Sequence, residues 1–308
     1  MLNISDYVEG PFLDFKALSL DVFYAPFSST ADLLWTLAGL YAQLPLWLEI
    51  LLPLLLVRYI VNHVLAGYQA CLDLGQGGTP ANWWGGWRIQ RLLFCGRLAN
   101  VFEAPHVPPG LKPYRGQLFG LPERQGERPT VIGCAPQRQI NQKTSVETFD
   151  QHIENLEKIA ATYPELLKTE ISFLESHTTA LKAKQTAKTD ETPTTAEFGH
   201  EIGHPHRIDG SMHMILHPED VKTVIEAKWG ERHPIANTSW YWLKWFHRTK
   251  FDENGKPRRP PVPEYLCFIY APRNEADMAT IKRIIAAAAW FVTGEDKIEF
   301  PADENYEA

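Results

Sequence analysis

Cysteine is scarce in the 308-residue sequence: four residues, Cys71, Cys95, Cys134 and Cys267, scattered singly. With no CxxC pair, neither a zinc ribbon nor a dense disulfide framework is supported. The four are read as reduced thiols in a reducing compartment. Cations are outnumbered, 30 Lys and Arg against 37 Asp and Glu, for a net charge of −7. Such a chain offers no footing for general nucleic-acid binding. No Gly-rich phosphate loop, GxSxG elbow or Rossmann fingerprint is present, so nucleotide cofactors are not supported. A 44% hydrophobic and 22% charged composition excludes full-length disorder and collagen-like repeats.

What the chain does have is one long apolar run. Residues 33–57 read LLWTLAGLYAQLPLWLEILLPLLLV, with Glu49 the one charge before Arg58. A bilayer core takes about 20 apolar residues in a helix, so a single transmembrane helix is predicted over 44–66. Pro45 and Pro53 start or kink it. Its acidic N-terminal flank and late start fit a cleaved signal peptide poorly. A buried helical hairpin in a soluble core is the competing reading. Ahead of the span lie Asp6, Glu9, Asp14, Asp21 and Asp32 against Lys16; after it come Arg58, Arg88, Arg91 and Arg97. The positive-inside rule then puts the C-terminal domain in the cytoplasm, on a single-pass protein of the endoplasmic reticulum membrane. Sequons begin at Asn3 and Asn237; in this topology Asn237 stays unmodified.

The predicted organisation is an N-terminal extension (1–43), the span (44–66), a juxtamembrane connector (67–104) and an α+β domain (105–300). Trp83, Trp84 and Trp87 in the connector suit either a membrane–water interface or a packed loop. A short strand is predicted near 130–134. Val146, Phe149, Ile153, Leu156 and Ile159 recur at helical spacing behind Ser145 as N-cap, which predicts a helix over 145–162. Residues 182–196 are polar and read as a loop. Strands are expected over 197–203, 211–217 and 265–270. A helix opens at His217-Pro218 and is stopped by Gly230, and another spans 274–292 between Asn274 and Gly294. The order β-β-α-β-α predicts a two-layer domain with helices on a mixed sheet.

Six of the 11 histidines fall between His200 and His233. Residues two apart on a strand face the same way, so His204 and His206 project together, with His213 across the ladder. Three imidazoles beside Glu201 support three readings. They could bind Zn, Fe or Cu, act directly as acids and bases, or brace loops through hydrogen bonds. Glu201 has the plainer alternative of pairing with Arg207 or Arg232. Glu231 and His233 are placed in a tight turn after Trp229. Arg273 stands at a strand-to-helix junction, suited to an anionic ligand or to a salt bridge.

Four units, EIGHPH (201–206), SMH (211–213), KWGERHPIA (228–236) and IYAPRNEADM (269–278), carry a resemblance to the fungal luciferase family. Weaker likeness runs through GYQACLDLGQGGTPANWWGG (67–86) and ERPTVIGCAPQRQ (127–139), so the similarity spans roughly residues 60–295. The resemblance implies an N-terminal membrane helix and a reaction in which O2 adds to an electron-rich hydroxypyrone, 3-hydroxyhispidin. A peroxide then loses CO2. It implies a small aromatic or polyketide-like substrate, with O2 as co-substrate and no cofactor. His204, His206, His213 and Glu201 would carry the catalysis, and Glu231, His233, Arg273 and Trp229 would line the substrate. The aromatic, basic stretch 238–263 and the N-terminal 40 residues depart from the luminous enzymes, and the family includes non-luminous members.

Overall fold

The computed structural model describes residues 30–75, 77–80, 82–96, 100–112, 115–185, 196, 198–236, 262–295 and 297–301. Both sequons, Arg97, most of the polar loop (186–195) and nearly all of the aromatic insert (237–261) lie outside the described residues. The chain divides into two compact units, Met1–Asn62 and His63–Ala308.

In the first unit α1 (Thr30–Tyr41) leads through a short turn into α2 (Leu46–Asp73), a helix of 28 residues containing Pro53. Leu48 N–H donates to Pro45 O, so Pro45 sits at the helix entrance as its ring requires. The helix is long and apolar enough to cross a bilayer, and 6% of its apolar window is buried. Leu46, Trp47, Leu54, Leu56 and Tyr59 are all more than half exposed. A helix buried in a soluble core would hide these side chains.

The second unit is α+β. Its helices are α3 (Trp83–Gly96), α4 (Val146–Thr162), α5 (Pro218–Glu226) and α6 (Glu275–Thr293). A small hairpin pairs β1 (Val131–Gly133) with β2 (Gln137–Gln139). The main sheet has six strands: β3 (Leu167–Ile171), β4 (Thr179–Ala183), β5 (Glu201–Pro205), β6 (Met212–Ile215), β7 (Gly230–Arg232) and β8 (Leu266–Ile269). Their order is β3-β4-β5-β6-β8-β7. The expected mixed sheet is antiparallel throughout, because every strand pairs with neighbours that run opposite to it. Polar residues read as loop, Lys182 and Ala183, end β4 and are buried.

Ile202, Met212, Met214 and Cys267 join Leu156, Ile159, Ile281, Ile284 and Ile285 in the apolar core of α4, α6 and the sheet. Ile89 and Leu92 of α3 belong to the same core, so the segment read as a connector is part of the folded unit. Asn274 caps α6 by accepting from Asp277 N–H, and Gly294 closes it in the left-handed region at φ 70°. Gly230 does not stop α5. That helix ends at Glu226, Lys228 takes the left-handed turn at φ 63°, and Gly230 opens β7. A Cβ on Gly230 would meet Phe268 O at 2.4 Å, so the strand can approach β8 only without a side chain there. Glu231 therefore lies on a strand, not in a tight turn.

Candidate active site

Register builds the site. His204 pairs with His213, His213 with Phe268, and Phe268 with Glu231, one row across β5, β6, β8 and β7. Directly opposed residues of antiparallel strands point to the same face. His206 enters from the end of β5, its N–H bonded to Ser211 O. The rings of His204, His206 and His213 lie with centroids 4.6–5.2 Å apart, and all three are buried. Phe268 stacks on His206 at 5.8 Å.

Each ring has one nitrogen tied outward. His204 Nδ1 meets Glu201 Oε1 at 2.5 Å. Glu201 also accepts from Ser172 Oγ at 2.9 Å and from Phe173 N–H at 2.6 Å. His206 Nδ1 meets Ser211 Oγ at 2.8 Å, and that hydroxyl donates to Asp209 at 2.7 Å. Asp209 accepts in addition from Gln139 N–H at 2.6 Å. His213 Nε2 meets the Gln137 amide oxygen at 3.0 Å, while the Gln137 amide nitrogen faces Glu231. All three outer partners present acceptors, so the outer ring nitrogens are the protonated ones. The inner nitrogens, His204 Nε2, His206 Nε2 and His213 Nδ1, are then bare lone pairs turned towards one another. His206 Nε2 and His213 Nδ1 are 3.1 Å apart, and His213 Nδ1 and His204 Nε2 are 3.4 Å apart.

Burial, then Arg138 and the neighbouring histidines, hold His206 well below the ordinary imidazole pKa. His213 is lowered likewise, by burial first and then by His204, His233 and Arg138. Burial works to raise Glu201, but His204, Ser172 and the Phe173 N–H outweigh it and hold the carboxylate ionised. Burial pushes Glu231 up to about 7, against hydrogen bonds from Tyr270 and Gln137.

A cavity of about 90 Å³ opens on His204, His213 and His233, walled by Cys134, Gln137 and Glu175. A second, of about 260 Å³, shares Gly78, Thr79 and Pro136 with it. Glu175 is ion-paired with the buried Arg138, and its Oε2 stands 4.0 Å from His204 Nε2.

Of the residues singled out in the sequence, His204, His206, His213, Glu201 and His233 converge. Glu231 joins them through Gln137. His233 has both nitrogens engaged, Nε2 donating to Cys134 O at 2.8 Å and Nδ1 accepting from Ile235 N–H, which fixes it as a neutral wall. Trp229 lies apart from the cavity lining: its Nε1 donates to Pro122 O, and its ring faces the Arg124 guanidinium. Arg273 likewise does not line the cavity. It pairs with Asp277 at 2.7 Å and donates to Gln125 O. Glu201 takes neither arginine as partner among its described contacts; Arg207 lies over Phe149 instead. His217 leaves the cluster because β6 ends at Ile215, and it caps α5 against Phe291. Sequence reasoning did not reach Gln137, Ser172 and Glu175, which come from distant segments with no spacing to betray them, nor Asp209, which lies in the turn between β5 and β6. Ser211 shares the His213 face by strand alternation, and that is the signal that could have found it.

An α+β domain with a buried triad of imidazoles on one face of an antiparallel sheet is the class that fold and site define. Residues 199–288 match the family profile described as Luciferase domain. The luciferase of Armillaria mellea is 28% identical over 190 residues, 59% of this chain and 64% of that protein. The luciferase of Neonothopanus nambi is 26% identical over 248 residues, 74% of this chain and 80% of that protein. The chain thus spans 64% of the length of the Armillaria luciferases it matches. These matches support a member of the fungal luciferase family, as the motifs imply. No solved structure is a significant match.

Proposed function

We propose that the protein is a membrane-anchored, luciferase-like oxygenase that adds O2 to a small hydroxypyrone or related phenolic. The observation that carries this reading is the cluster of three inward imidazole nitrogens, with His204 and His213 at the wall of a cavity, inside the segment similar to luciferases. Oxygenation of a hydroxypyrone starts from its anion; an inward lone pair can take the departing proton, and the imidazolium so formed then stabilises that anion. Glu201 supports the charge from behind His204. Glu231, buried and near neutrality, stands one amide away from His213 as a group able to exchange a proton. The adjoining cavity, which Leu72 and Cys71 of α2 also line, gives room for an apolar substituent on the substrate.

In this reading α2 is a single-pass anchor in the endoplasmic reticulum membrane, and Arg58, Arg88 and Arg91 keep the catalytic unit cytoplasmic. Protease added to sealed microsomes then digests the C-terminal unit; its protection would reverse the orientation.

The test of the activity is O2 uptake by the full chain in membranes with a panel of hydroxypyrones and phenolics, recorded with and without light detection. Uptake that requires substrate supports the oxygenase. Folded protein that consumes no O2 with any member of the panel leaves a non-catalytic, membrane-tethered binding protein.

A further inference from the structure

We infer that His204, His206 and His213 bind one divalent first-row transition-metal ion through His204 Nε2, His206 Nε2 and His213 Nδ1. The inference goes beyond the oxygenase reading and does not rest on it.

Geometry is the first argument. Three imidazoles whose ligand atoms all lie within 4.8 Å of one another form the described cluster best placed to hold an ion. A tetrahedral centre with metal–nitrogen bonds of about 2.0–2.1 Å sets its ligand nitrogens about 3.3 Å apart. Two of the three separations are 3.1 and 3.4 Å, and the third is within 4.8 Å. Without a cation these contacts oppose bare lone pairs in a buried site, an arrangement that repels. No hydrogen bond relieves it, because each ring proton is committed to an outer partner.

Those outer partners are the second argument. Histidines that ligate metals donate their remaining N–H to a carboxylate, a carbonyl or a polar relay, which fixes tautomer and orientation. Here all three do so: His204 to Glu201, His206 to the Ser211–Asp209 pair, and His213 to the Gln137 amide oxygen. A cluster that merely braced loops would have no need to turn every free lone pair inward.

Charge is the third. Glu201, Asp209 and Glu175 surround the ligands, three carboxyl groups against the single guanidinium of Arg138, which is ion-paired with Glu175 and also acts on Asp209. The surplus is negative and buried, which favours a bound cation. Imidazole donors suit Zn(II), Fe(II), Cu(II), Ni(II) and Co(II) ahead of Mg(II) or Ca(II). Three protein ligands leave a coordination position open, as in catalytic rather than structural sites. His204 and His213 line the cavity, so that position faces it.

The test uses the full-length chain in detergent, stripped with a chelator and titrated with Co(II), whose visible ligand-field band reports tetrahedral or five-coordinate binding. One Co(II) per chain is expected, displaced by Zn(II). His206→Ala and His213→Ala each weaken binding by more than about a hundredfold. Because either could unfold the sheet, Ser211→Ala and Glu201→Gln are made beside them. Each should weaken Co(II) by about 10–100-fold and keep the near-ultraviolet circular dichroism of the wild type. Folded wild type that takes up no Co(II) overturns the inference. So does a triple variant lacking all three histidines that binds Co(II) as the wild type does. Co(II) binding with no O2 uptake would sink the oxygenase reading and leave the metal site; O2 uptake by chain that binds no Co(II) does the reverse.

Discussion

The main sheet has two faces with opposite chemistry, although both are buried. On one, Ile202, Met212, Met214 and Cys267 pack into the core with α4 and α6. On the other, His204, His213, Phe268 and Glu231 form a row whose polar atoms are hydrogen-bonded to Glu201, Gln137 and Tyr270. The apolar face follows from water exclusion alone and tolerates any side chains of similar volume. The imidazole face stands only because each outer polar atom has a partner, and those partners come from five separate segments. Stability is thus concentrated on one face and chemistry on the other.

The largest expected effects exchange these roles. His206→Ala or His204→Ala should lower turnover by about 10²–10⁴ in at least one of the two, with the melting temperature of that variant nearly unchanged. Met214→Ala, next to His213 but on the opposite face, should destabilise by about 2–5 kcal/mol and leave turnover per folded molecule intact. O2 uptake and thermal melting on the same preparations check both. A histidine variant that loses activity only in proportion to its unfolding would make the imidazole face structural, and the contrast would collapse.

Strand alternation made much of this legible. In SMHMILH the period of two separates Ser211 and His213 from Met212 and Met214, and the structure keeps that separation as far as Ile215. It fails at His217 because a proline at position 218 starts a helix, and alternation has no meaning beyond a strand end. The helix α4 was legible from its stripe and α6 from Asn274 and Gly294 at its ends, with α6 ending one residue later than expected. The antiparallel order was not, since it depends on β8 inserting between β6 and β7, a pairing between segments far apart in sequence. Gln137 and Ser172 were invisible for the same reason. Arg273 has the sequence context of a ligand group, yet Asp277 sits one helical turn away and takes its guanidinium.

A smaller effect is the pH dependence of folding, which sharpens the comparison because it belongs to the polar face. Glu231 has a folded pKa of about 7 against an ordinary 4.5, with burial the first cause. The fold prefers its protonated form, so this group's contribution is intact below pH 4.5 and is lost as pH rises to about 7, roughly 3 kcal/mol at most. His152 and His233, each held near 4 by burial, act in the opposite sense and withdraw stability as pH falls from 6.5 towards 4. Glu231 therefore offsets one of them. Glu231→Gln should be relatively more stable at pH 7 and steeper in its loss on acidification, as denaturant midpoints at pH 5 and 7 would record. Parallel pH profiles for variant and wild type would show that Glu231 is not desolvated in the fold.

The smallest effect probes the helices behind the apolar face, where sequence reasoning put two N-caps on equal terms. Asn274 and Ser145 occupy the same position relative to α6 and α4. The Asn274 side chain accepts from Asp277 N–H at 2.9 Å, whereas Ser145 has extended backbone but no cap bond. Its hydroxyl instead bonds the exposed Glu147 carboxylate and lowers that group's pKa. Removing a cap bond leaves a helix-end donor unpaired, so Asn274→Ala should cost about 1 kcal/mol. Ser145→Ala removes only a surface contact and should stay within about 0.5 kcal/mol. Turnover should be unchanged in both, because the two caps lie at helix ends and α4 and α6 pack on the apolar core. Thermal melts of the two variants, run with the O2 assay, decide the matter. Equal destabilisation would mean that Ser145 caps α4 in solution after all, and a fall in turnover for Asn274→Ala at full folding would mean that the two faces of the sheet are coupled.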